Sequence, residues 1–270
     1  MDWGGSMPFF VLWGVGIVGT LITGVSWVSF AVCIFLYYSR MFFVTGFFHR
    51  YFSHRSFKTN RFWQFIFAVC TSTTVQKGPL WWAYTHRHHH KHSDTIPDHH
   101  SNRIWGFLES HVLWFLRLNI QKTNFDAVRD LSKYPELRLM DNKFICLIPP
   151  ILLAVACYYL GEYLGTPYHT NGMQMLMVGF FLSTFLLHNG TFTINSMSHM
   201  WGTRRYETGE GSLNNWGLAV FVTLGEGWHN NHHYNQHKVR QGEAWYEIDI
   251  TYYILEVMKF FGIIHHLRYT

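Results

Sequence analysis

Charged side chains are scarce in this 270-residue chain, at 14% of the residues, whereas a typical soluble domain carries about 25%. Hydrophobic residues make up 49% of the chain, and aromatic residues alone make up 19%. A chain with so little charge cannot cover a large surface that faces water. Lipid is therefore expected to form part of its solvent.

Cysteine is also scarce, and its placement argues against thiolate chemistry. The chain has four cysteines, none in a Cys-x-x-Cys pair and all in apolar stretches: Cys33, Cys70, Cys146 and Cys157. Neither a disulfide framework nor a cysteine zinc site is expected. The net charge of +5 comes without a basic run or a nucleic-acid motif, so nucleic acid is not an expected partner.

Four apolar stretches are long enough to be membrane-spanning helices, for which about 20 residues are needed. They are residues 7–24, 27–46, 144–163 and 173–192. A fifth apolar stretch, Phe62 to Val75, is shorter and is expected to lie at the membrane interface or inside the protein. If it crossed the bilayer, the histidine motifs on its two sides would be separated by the membrane.

The positive charges indicate an orientation for these helices. All 21 lysines and arginines fall within residues 40–143 and 204–268, and none lies in the turns that join the paired apolar stretches. Cytoplasmic segments carry the excess of positive charge. The sequence therefore predicts one all-α integral membrane domain over residues 1–270, with four transmembrane helices, cytoplasmic termini and a cytosolic helical cap formed by 47–143 and 195–270.

Nineteen histidines are more than packing calls for, and most of them fall into four clusters on the predicted cytosolic side. The clusters are HRYFSH at 49–54, HRHHH at 86–90, NSMSH at 195–199 and HNNHH at 229–233. Residues i, i+3 and i+4 of a helix share one face, so each His-x-x-His-His box is expected to aim three imidazoles at one point. Asn195 and His199 are expected to point together for the same reason. The two histidines of His-x-x-x-x-His are expected on different sides, where they could serve two metals or flank a helix end.

Neutral imidazole suits iron, zinc, copper and nickel, and the clusters hold more histidines than one zinc ion needs. Only Glu226 and His229 form the Glu-x-x-His pair used by ferritin-like di-iron proteins. An all-histidine pair of redox-active ions beside a membrane suggests O2 activation and attack on a lipid chain. His88, His92, His99 and His100 are left open as supporting or solvated residues. Asp94, Asp98 and Glu226 could orient ligand imidazoles or be ordinary solvated charges.

At these residues the chain resembles the membrane fatty acyl desaturases of the stearoyl-CoA desaturase type. The stretches HRYFSHRSFKTNR, HRHHHKHSD, NSMSHMWG and GEGWHNNHHYNQH occur in that family's order, and the likeness spans about residues 26–265. The stretch QKGPLWWAYTHRHHHKHSD most resembles the bacterial branch. The resemblance implies two irons, with O2 as co-substrate, at a site that forms a cis double bond, expected at the delta-9 position.

The resemblance also implies the ligands of the irons and the binding site of the substrate. Nine histidines would hold the metals: His49, His54, His86, His89, His90, His199, His229, His232 and His233. Asn195 would hold a water on one iron. The acyl chain would lie in a bent apolar tunnel, for which Trp81, Trp82 and Trp228 are candidate walls. The alternative is that they are aromatic residues at the membrane interface.

The substrate head group and the electron donor are less closely indicated. Acyl-CoA is expected, but Tyr84 stands where animal desaturases carry a basic residue that helps to bind CoA, and nearby Lys77 could substitute. Acyl carrier protein and phospholipid therefore stay open. No cytochrome b5 domain is fused within the 270 residues, so a separate donor of ferredoxin, rubredoxin or cytochrome b5 type is expected, with its reductase.

Other functions fit the same motifs. An alkyl hydroxylase, or a decarboxylase that makes terminal alkenes, would differ only in which carbon reaches the metals. A non-catalytic haem or metal carrier, or a transporter, belongs to a different class. Transport would predict polar residues in the middle of the spanning helices, and His188 is the main exception in otherwise apolar segments.

Overall fold

The computed structural model describes residues 3–117 and 121–270, with side chains described from Met7 onward in the first helix. Within these ranges every regular element is a helix, and β-structure is limited to three isolated bridges. The prediction of an all-α protein is confirmed for the described residues.

Eight helices build the framework that carries the histidines. They are α1 (Trp3–Thr23), α2 (Trp27–Ser53), α3 (Arg61–Ser72), α4 (Pro79–His92), α5 (Ile145–Leu164), α6 (Gly172–His199), α7 (His229–Tyr234) and α8 (Ile250–Phe260). Shorter helices connect them, at Asn102–Trp105, Phe107–His111, Leu113–Leu116, Phe125–Val128, Arg129–Ser132, Pro135–Met140, Thr166–Tyr168 and Leu218–Val222.

Three of these helices, α2, α5 and α6, are long and apolar enough to cross a membrane. The apolar part of α1 with described side chains, Met7–Thr23, is shorter. Helix α6 packs against α1, α2 and α5, so the first helix belongs to the same bundle as the three candidate spans. The described residues thus contain three candidate spans where four had been expected.

Helices α2 and α6 continue beyond the apolar stretches that predicted them. Helix α2 runs past residue 46 to Ser53, and α6 runs past residue 192 to His199. From Phe43 to Ser53 the winding of α2 is π-helical, so each amide bonds to the carbonyl five residues earlier. The first histidine motif therefore stands on the end of an apolar helix and not in a separate segment.

Helix α3, predicted as interfacial or buried, is too short to span the bilayer. Its 12 residues extend about 18 Å, against about 30 Å of hydrocarbon. The Asn60 side chain caps it by accepting from Trp63 N at 3.0 Å. The Phe67 ring stacks on Phe47 of α2 with centroids 4.0 Å apart, so α3 packs along the π-helical part of α2.

The start of α4 is fixed by a carboxylate from a distant loop. Asp141 Oδ1 accepts hydrogen bonds from Leu80 N at 3.0 Å and from Trp81 N at 2.8 Å. These amides belong to the first turn of α4, where backbone donors have no partner within the helix. Gly78 precedes them because a Cβ at this position would collide with Asp141. Helix α4, which carries the second histidine box, is thereby anchored to the loop before α5.

Candidate metal centre

The nine histidines of the sequence motifs converge into two adjacent groups. The first, the five-histidine group, contains His49, His54, His86, His90 and His232, and the second, the four-histidine group, contains His89, His199, His229 and His233. Within each group the possible ligand atoms lie within 4.8 Å of one another. The groups adjoin, since the ring centroids of His90 and His233 are 4.4 Å apart.

Each His-x-x-His-His box is divided between the two groups. In α4, His86 and His90 enter the five-histidine group while His89 enters the other. In α7 the division is reversed, because only His232 joins the five-histidine group. Successive residues of an α-helix diverge by about 100°, so neighbouring histidines cannot share one point. The expectation that a box aims all three imidazoles at one point is wrong.

The His-x-x-x-x-His motif behaves in the opposite way. His49 and His54 both belong to the five-histidine group, with their Nε2 atoms 3.1 Å apart. The π-helical winding explains this, because the amide of His54 bonds to the carbonyl of His49 at 3.1 Å and brings residues five apart onto one face. The expectation that these two histidines lie on different sides is also wrong.

The five-histidine group is crowded with Nε2 atoms. His54 and His86 approach to 2.8 Å, His86 and His90 to 3.0 Å, and His90 and His232 to 3.0 Å. Each Nε2 of a neutral imidazole is either a donor or an acceptor. Hydrogen bonds alone therefore cannot satisfy so many Nε2 atoms that lie this close together. Lone pairs aimed at one point are the arrangement that a metal ion requires.

Six of the nine imidazoles are held in the neutral form. Desolvation, together with the neighbouring histidines, lowers the pKa well below 6.5 in six histidines, which are His54, His86, His90, His229, His232 and His233. Neutral imidazole is the form that binds metals. In addition, the buried Nε2 of His233 has no hydrogen-bond partner. The donor set and this unpaired nitrogen fit a bound metal ion.

Carboxylates lie behind four of the imidazoles. Glu226 Oε2 is 2.5 Å from His49 Nδ1, and Asp98 Oδ2 is 3.1 Å from His89 Nδ1. Asp94 Oδ2 is 3.4 Å from His199 Nδ1, and Glu210 Oε1 is 3.5 Å from His233 Nδ1. Metal-binding histidines usually donate their second N–H to such a group, which fixes the ring orientation and raises its basicity. Sequence reasoning missed Glu210, which lies in no recognisable motif.

The carboxylates also set the local charge. Burial alone would raise the pKa of Asp98, but His89, His100 and the amide of Asp94 outweigh it and hold the pKa below its usual range. Burial likewise opposes protonation of His89, yet the Asp98 carboxylate prevails and raises the pKa of His89. Asp98 is thus ionised at neutral pH and accepts the Nδ1–H of His89.

Glu226 is part of a buried ionic network. Arg50 donates to Glu226 Oε1 from Nη2 at 3.0 Å, and to both oxygens of Asp249 at 2.9 and 3.0 Å. Gln241 Nε2 donates to Glu226 Oε2 at 2.8 Å. Burial would raise the pKa of Glu226, but His49 and Arg50 lower it. A fixed carboxylate therefore faces His49, and sequence reasoning had not identified Arg50 or Asp249.

The histidines that were left open lie outside the two groups. His100 is buried, with its ring centroid 4.3 Å from that of His89. His99 is also buried and stacks on His88 at 4.5 Å, and His88 in turn lies 4.6 Å from His92. His188 has a structural role, since its Nδ1 accepts from the Trp13 indole at 3.0 Å and its Nε2 donates to Thr74 O at 2.9 Å.

An aromatic cavity reaches the five-histidine group. Its lining includes Trp81, Trp82, His86, Trp114, Thr191 and Asn195. A second cavity shares Trp82, His86, Thr191 and Asn195 and continues to Met41 and Val44 of α2. Asn195 thus lies where the two cavities meet. Trp228 lines neither of them, and its indole donates to Ile248 O at 2.8 Å.

A small hydrogen-bonded unit lies at this junction. Gln76 Nε2 donates to Thr191 Oγ1 at 3.1 Å, and the Trp82 indole approaches Gln76 Oε1 at 3.4 Å. The Trp82 ring also stacks on His86 with centroids 4.9 Å apart. The cavity wall is therefore tied to a histidine of the five-histidine group.

The fold and this site define an all-helical protein of membrane type, with histidine clusters suited to metal binding. The family model described as "Fatty acid desaturase" matches residues 25–266. The chain belongs to the fatty acid desaturase family and is an oxidoreductase of lipid metabolism.

Individual relatives are similar over most of the chain. An acyl-CoA C20 Delta5-desaturase of Anemone leveillei is 37% identical over 243 residues, covering 88% of this chain and 73% of the relative. An sn-1 stearoyl-lipid 9-desaturase of Anabaena variabilis is 33% identical over 251 residues, covering 90% and 85%. A chloroplastic palmitoyl-monogalactosyldiacylglycerol delta-7 desaturase of Arabidopsis thaliana is 35% identical over 223 residues, covering 82% and 56%. The names of these relatives differ in both head group and double-bond position.

Proposed function

We propose that this protein uses O2 to introduce a cis double bond at the delta-9 position of a fatty acyl chain, at a di-iron centre held by the nine motif histidines. The observation that carries the proposal is the convergence of those histidines into two adjacent groups beside an aromatic cavity. Family membership supports fatty acyl chains as the substrate.

Each histidine group would hold one iron, the first with five imidazoles and the second with four. When bound, two irons would supply the reduction of O2 and the removal of two hydrogens from neighbouring methylene carbons. The side chains of the protein do the rest. Glu226, Asp98, Asp94 and Glu210 hold imidazole rings by their Nδ1 atoms. Asn195, at the junction of the cavities, is proposed to hold a water molecule beside one iron.

The two joined cavities are proposed as the acyl tunnel. Aromatic walls such as Trp81 and Trp114 exclude water and offer apolar surface to a hydrocarbon chain. The Gln76–Thr191 hydrogen bond joins the segment before α4 to α6, which keeps the walls in place. The position of the double bond would follow from how far the chain enters before its methylene pair meets His86 and Asn195.

Acyl-CoA is the proposed substrate, and an acyl lipid is the second candidate. Both classes occur among the relatives. Lys77 and Gln121 provide polar groups along the cavity, with Lys77 Nζ bonded to Gln121 Oε1 at 2.6 Å. Feeding the purified protein with stearoyl-CoA and with a stearoyl phospholipid, and analysing the products separately, decides between them.

The proposed membrane arrangement has four spans and a cytosolic cap. Helix α1 has 21 residues, so it extends about 32 Å and could cross the hydrocarbon as the fourth span. The absence of lysine and arginine from both hairpin turns supports their placement on the outer side, with the histidine groups and both termini facing the cytoplasm.

The test is expression in a host strain that lacks its own desaturase, followed by mass spectrometry of the fatty acids. A new monounsaturated acid, with about two irons per purified chain, is expected. His232→Ala should remove the product and lower the iron content, whereas the matched variant His88→Ala, outside both groups, should keep both. A hydroxylated acid or a terminal alkene in place of the internal double bond would refute desaturation.

A further inference from the structure

A surface pocket lies beside the five-histidine group, at the end of α2 opposite to the turn that joins α1 and α2. The buried His54 and the half-buried His90 form part of its lining, so the pocket lies directly against the group. The other lining residues include four basic side chains, which are Arg55, Arg87, Lys91 and Arg268.

The charge of this basic pocket is only partly compensated. Asp130 is its one acidic lining residue among the described residues, and it pairs with Arg87 at 2.7 and 3.0 Å and with Arg55 at 3.6 Å. Lys91 and Arg268 are exposed. In the described part of the chain, their side chains make no ion pair. A positive surface of this kind attracts an acidic partner and orients its approach.

The pocket also offers a short path inward. His237 lies at its rim and donates from Nδ1 to the carbonyl of His54 at 2.8 Å. The His54 ring itself belongs to the five-histidine group, with Nε2 3.1 Å from His49 Nε2 and 2.8 Å from His86 Nε2. His54 therefore lies between the pocket and the other histidines of the group.

The reaction proposed above needs electrons from outside. Reducing one O2 to two waters takes four electrons and four protons. Forming one double bond releases two electrons and two protons from the two methylene carbons, and solvent supplies the other two protons. The remaining two electrons must come from an external reductant, and a one-electron carrier protein would supply them in two encounters.

We propose that the basic pocket is the docking site of an acidic one-electron carrier, which binds over His54 and His90 and delivers one electron per encounter. This inference rests on the proposed function, because only O2 reduction creates the need for the carrier. It places the contact on Lys91 and Arg268, the two exposed cations of the pocket, which no acidic side chain of the described residues neutralises.

The test measures binding directly, with the iron-loaded protein in nanodiscs of zwitterionic lipid. The probes are a plant-type [2Fe–2S] ferredoxin and a soluble cytochrome b5 haem domain, both acidic, and cytochrome c as a basic carrier. At low ionic strength, at least one acidic probe should bind more tightly than cytochrome c and weaken steeply with added salt. The double variant Lys91→Glu/Arg268→Glu should weaken that binding about tenfold or more.

The matched control is Arg103→Glu/Lys259→Glu, which changes the net charge equally at exposed sites outside the pocket. It should leave the Kd within about twofold of wild type, because neither residue lines the pocket where the carrier is proposed to bind. The milder variant Lys91→Gln/Arg268→Gln should give an intermediate loss and guards against misfolding. Equal weakening by the control, or no preference for either acidic probe, overturns the inference. The inference is also overturned if anionic lipid vesicles compete with the carrier for the pocket and displace it.

Product analysis separates this inference from the proposed function. If the function is wrong, no desaturated acid forms, yet carrier binding still depends on Lys91 and Arg268. If only the docking site is wrong, the acid forms while reversal of these charges leaves binding unchanged.

Discussion

Replacing Glu226 with glutamine should weaken metal binding at the five-histidine group. Glu226 is 6% exposed and lies 2.5 Å from His49 Nδ1. Glutamine keeps the shape but removes the negative charge that holds the His49 ring and raises its basicity. Loss of such a partner typically costs about 10- to 100-fold in metal affinity, or about 1.4 to 2.8 kcal/mol.

Asp249→Asn is the matched control for this variant. Asp249 shares Arg50 with Glu226 but has no contact with His49 among the described residues. Its Oδ1 also caps α8 by accepting from Tyr252 N at 3.0 Å, and asparagine can keep that bond. Each variant leaves buried Arg50 with one carboxylate, so both should destabilise the fold to a similar degree. Removing one partner of a buried ion pair costs about 3 to 5 kcal/mol.

The assay combines thermal unfolding of the purified apo-protein with anaerobic Fe2+ titration against a competing chelator. Both variants should unfold at a lower temperature than wild type, but only Glu226→Gln should lose affinity at one of the two iron sites. If Asp249→Asn loses as much iron affinity as Glu226→Gln, the effect belongs to the ionic network and not to the contact with His49. Unchanged iron affinity in Glu226→Gln would refute the reasoning altogether.

Three further predictions concern the helical framework and the effect of pH on metal binding and stability. Asp141→Ala should destabilise the protein by about 1 kcal/mol, because it uncaps α4, and a lower Tm with an intact helical spectrum checks this. Gly190→Ala should also lower Tm, since a Cβ there collides with the Tyr37 hydroxyl and breaks its bond to Val222 O. Acidification should release metal and destabilise the apo-fold. Six histidines of the metal centre have lowered pKa values in the folded protein, so the unfolded state binds more protons below about pH 6.5 and stability falls as pH falls through that range. A chelator-free metal-retention curve that is flat from pH 7.5 to 5.5 would contradict this last prediction.

Composition and hydropathy were enough to find the apolar helices and the histidines. The stretches at 144–163 and 173–192 predict α5 and α6 closely at their starts, because a lipid-facing helix must be apolar along its length. The ends of α2 and α6 were missed, since both helices continue into polar residues that are packed inside the protein. Hydropathy measures preference for lipid and does not detect a polar helix end that is buried in protein.

Spacing alone could not predict which of the two groups each histidine joins. It depends on the rotation of α4 relative to α7, which is set by contacts such as the Asp141 cap on α4. The supporting residues Glu210, Arg50 and Asp249 come from distant parts of the chain. A single carboxylate or guanidinium gives no pattern in the sequence, so only the folded structure brings these residues to the site.

The π-helical end of α2 shows how winding decides ligand geometry. If α2 continued as an α-helix, five residues would rotate His54 by about 140° from His49, and the five-histidine group would lose a member. The wider winding leaves carbonyls at the helix end without ordinary helical partners. Arg87 of α4 satisfies two of them, donating to Ser53 O at 2.8 Å and to Phe52 O at 2.9 Å. Since Arg87 directly follows His86, the contact that stabilises the end of α2 also holds the first two histidine motifs together.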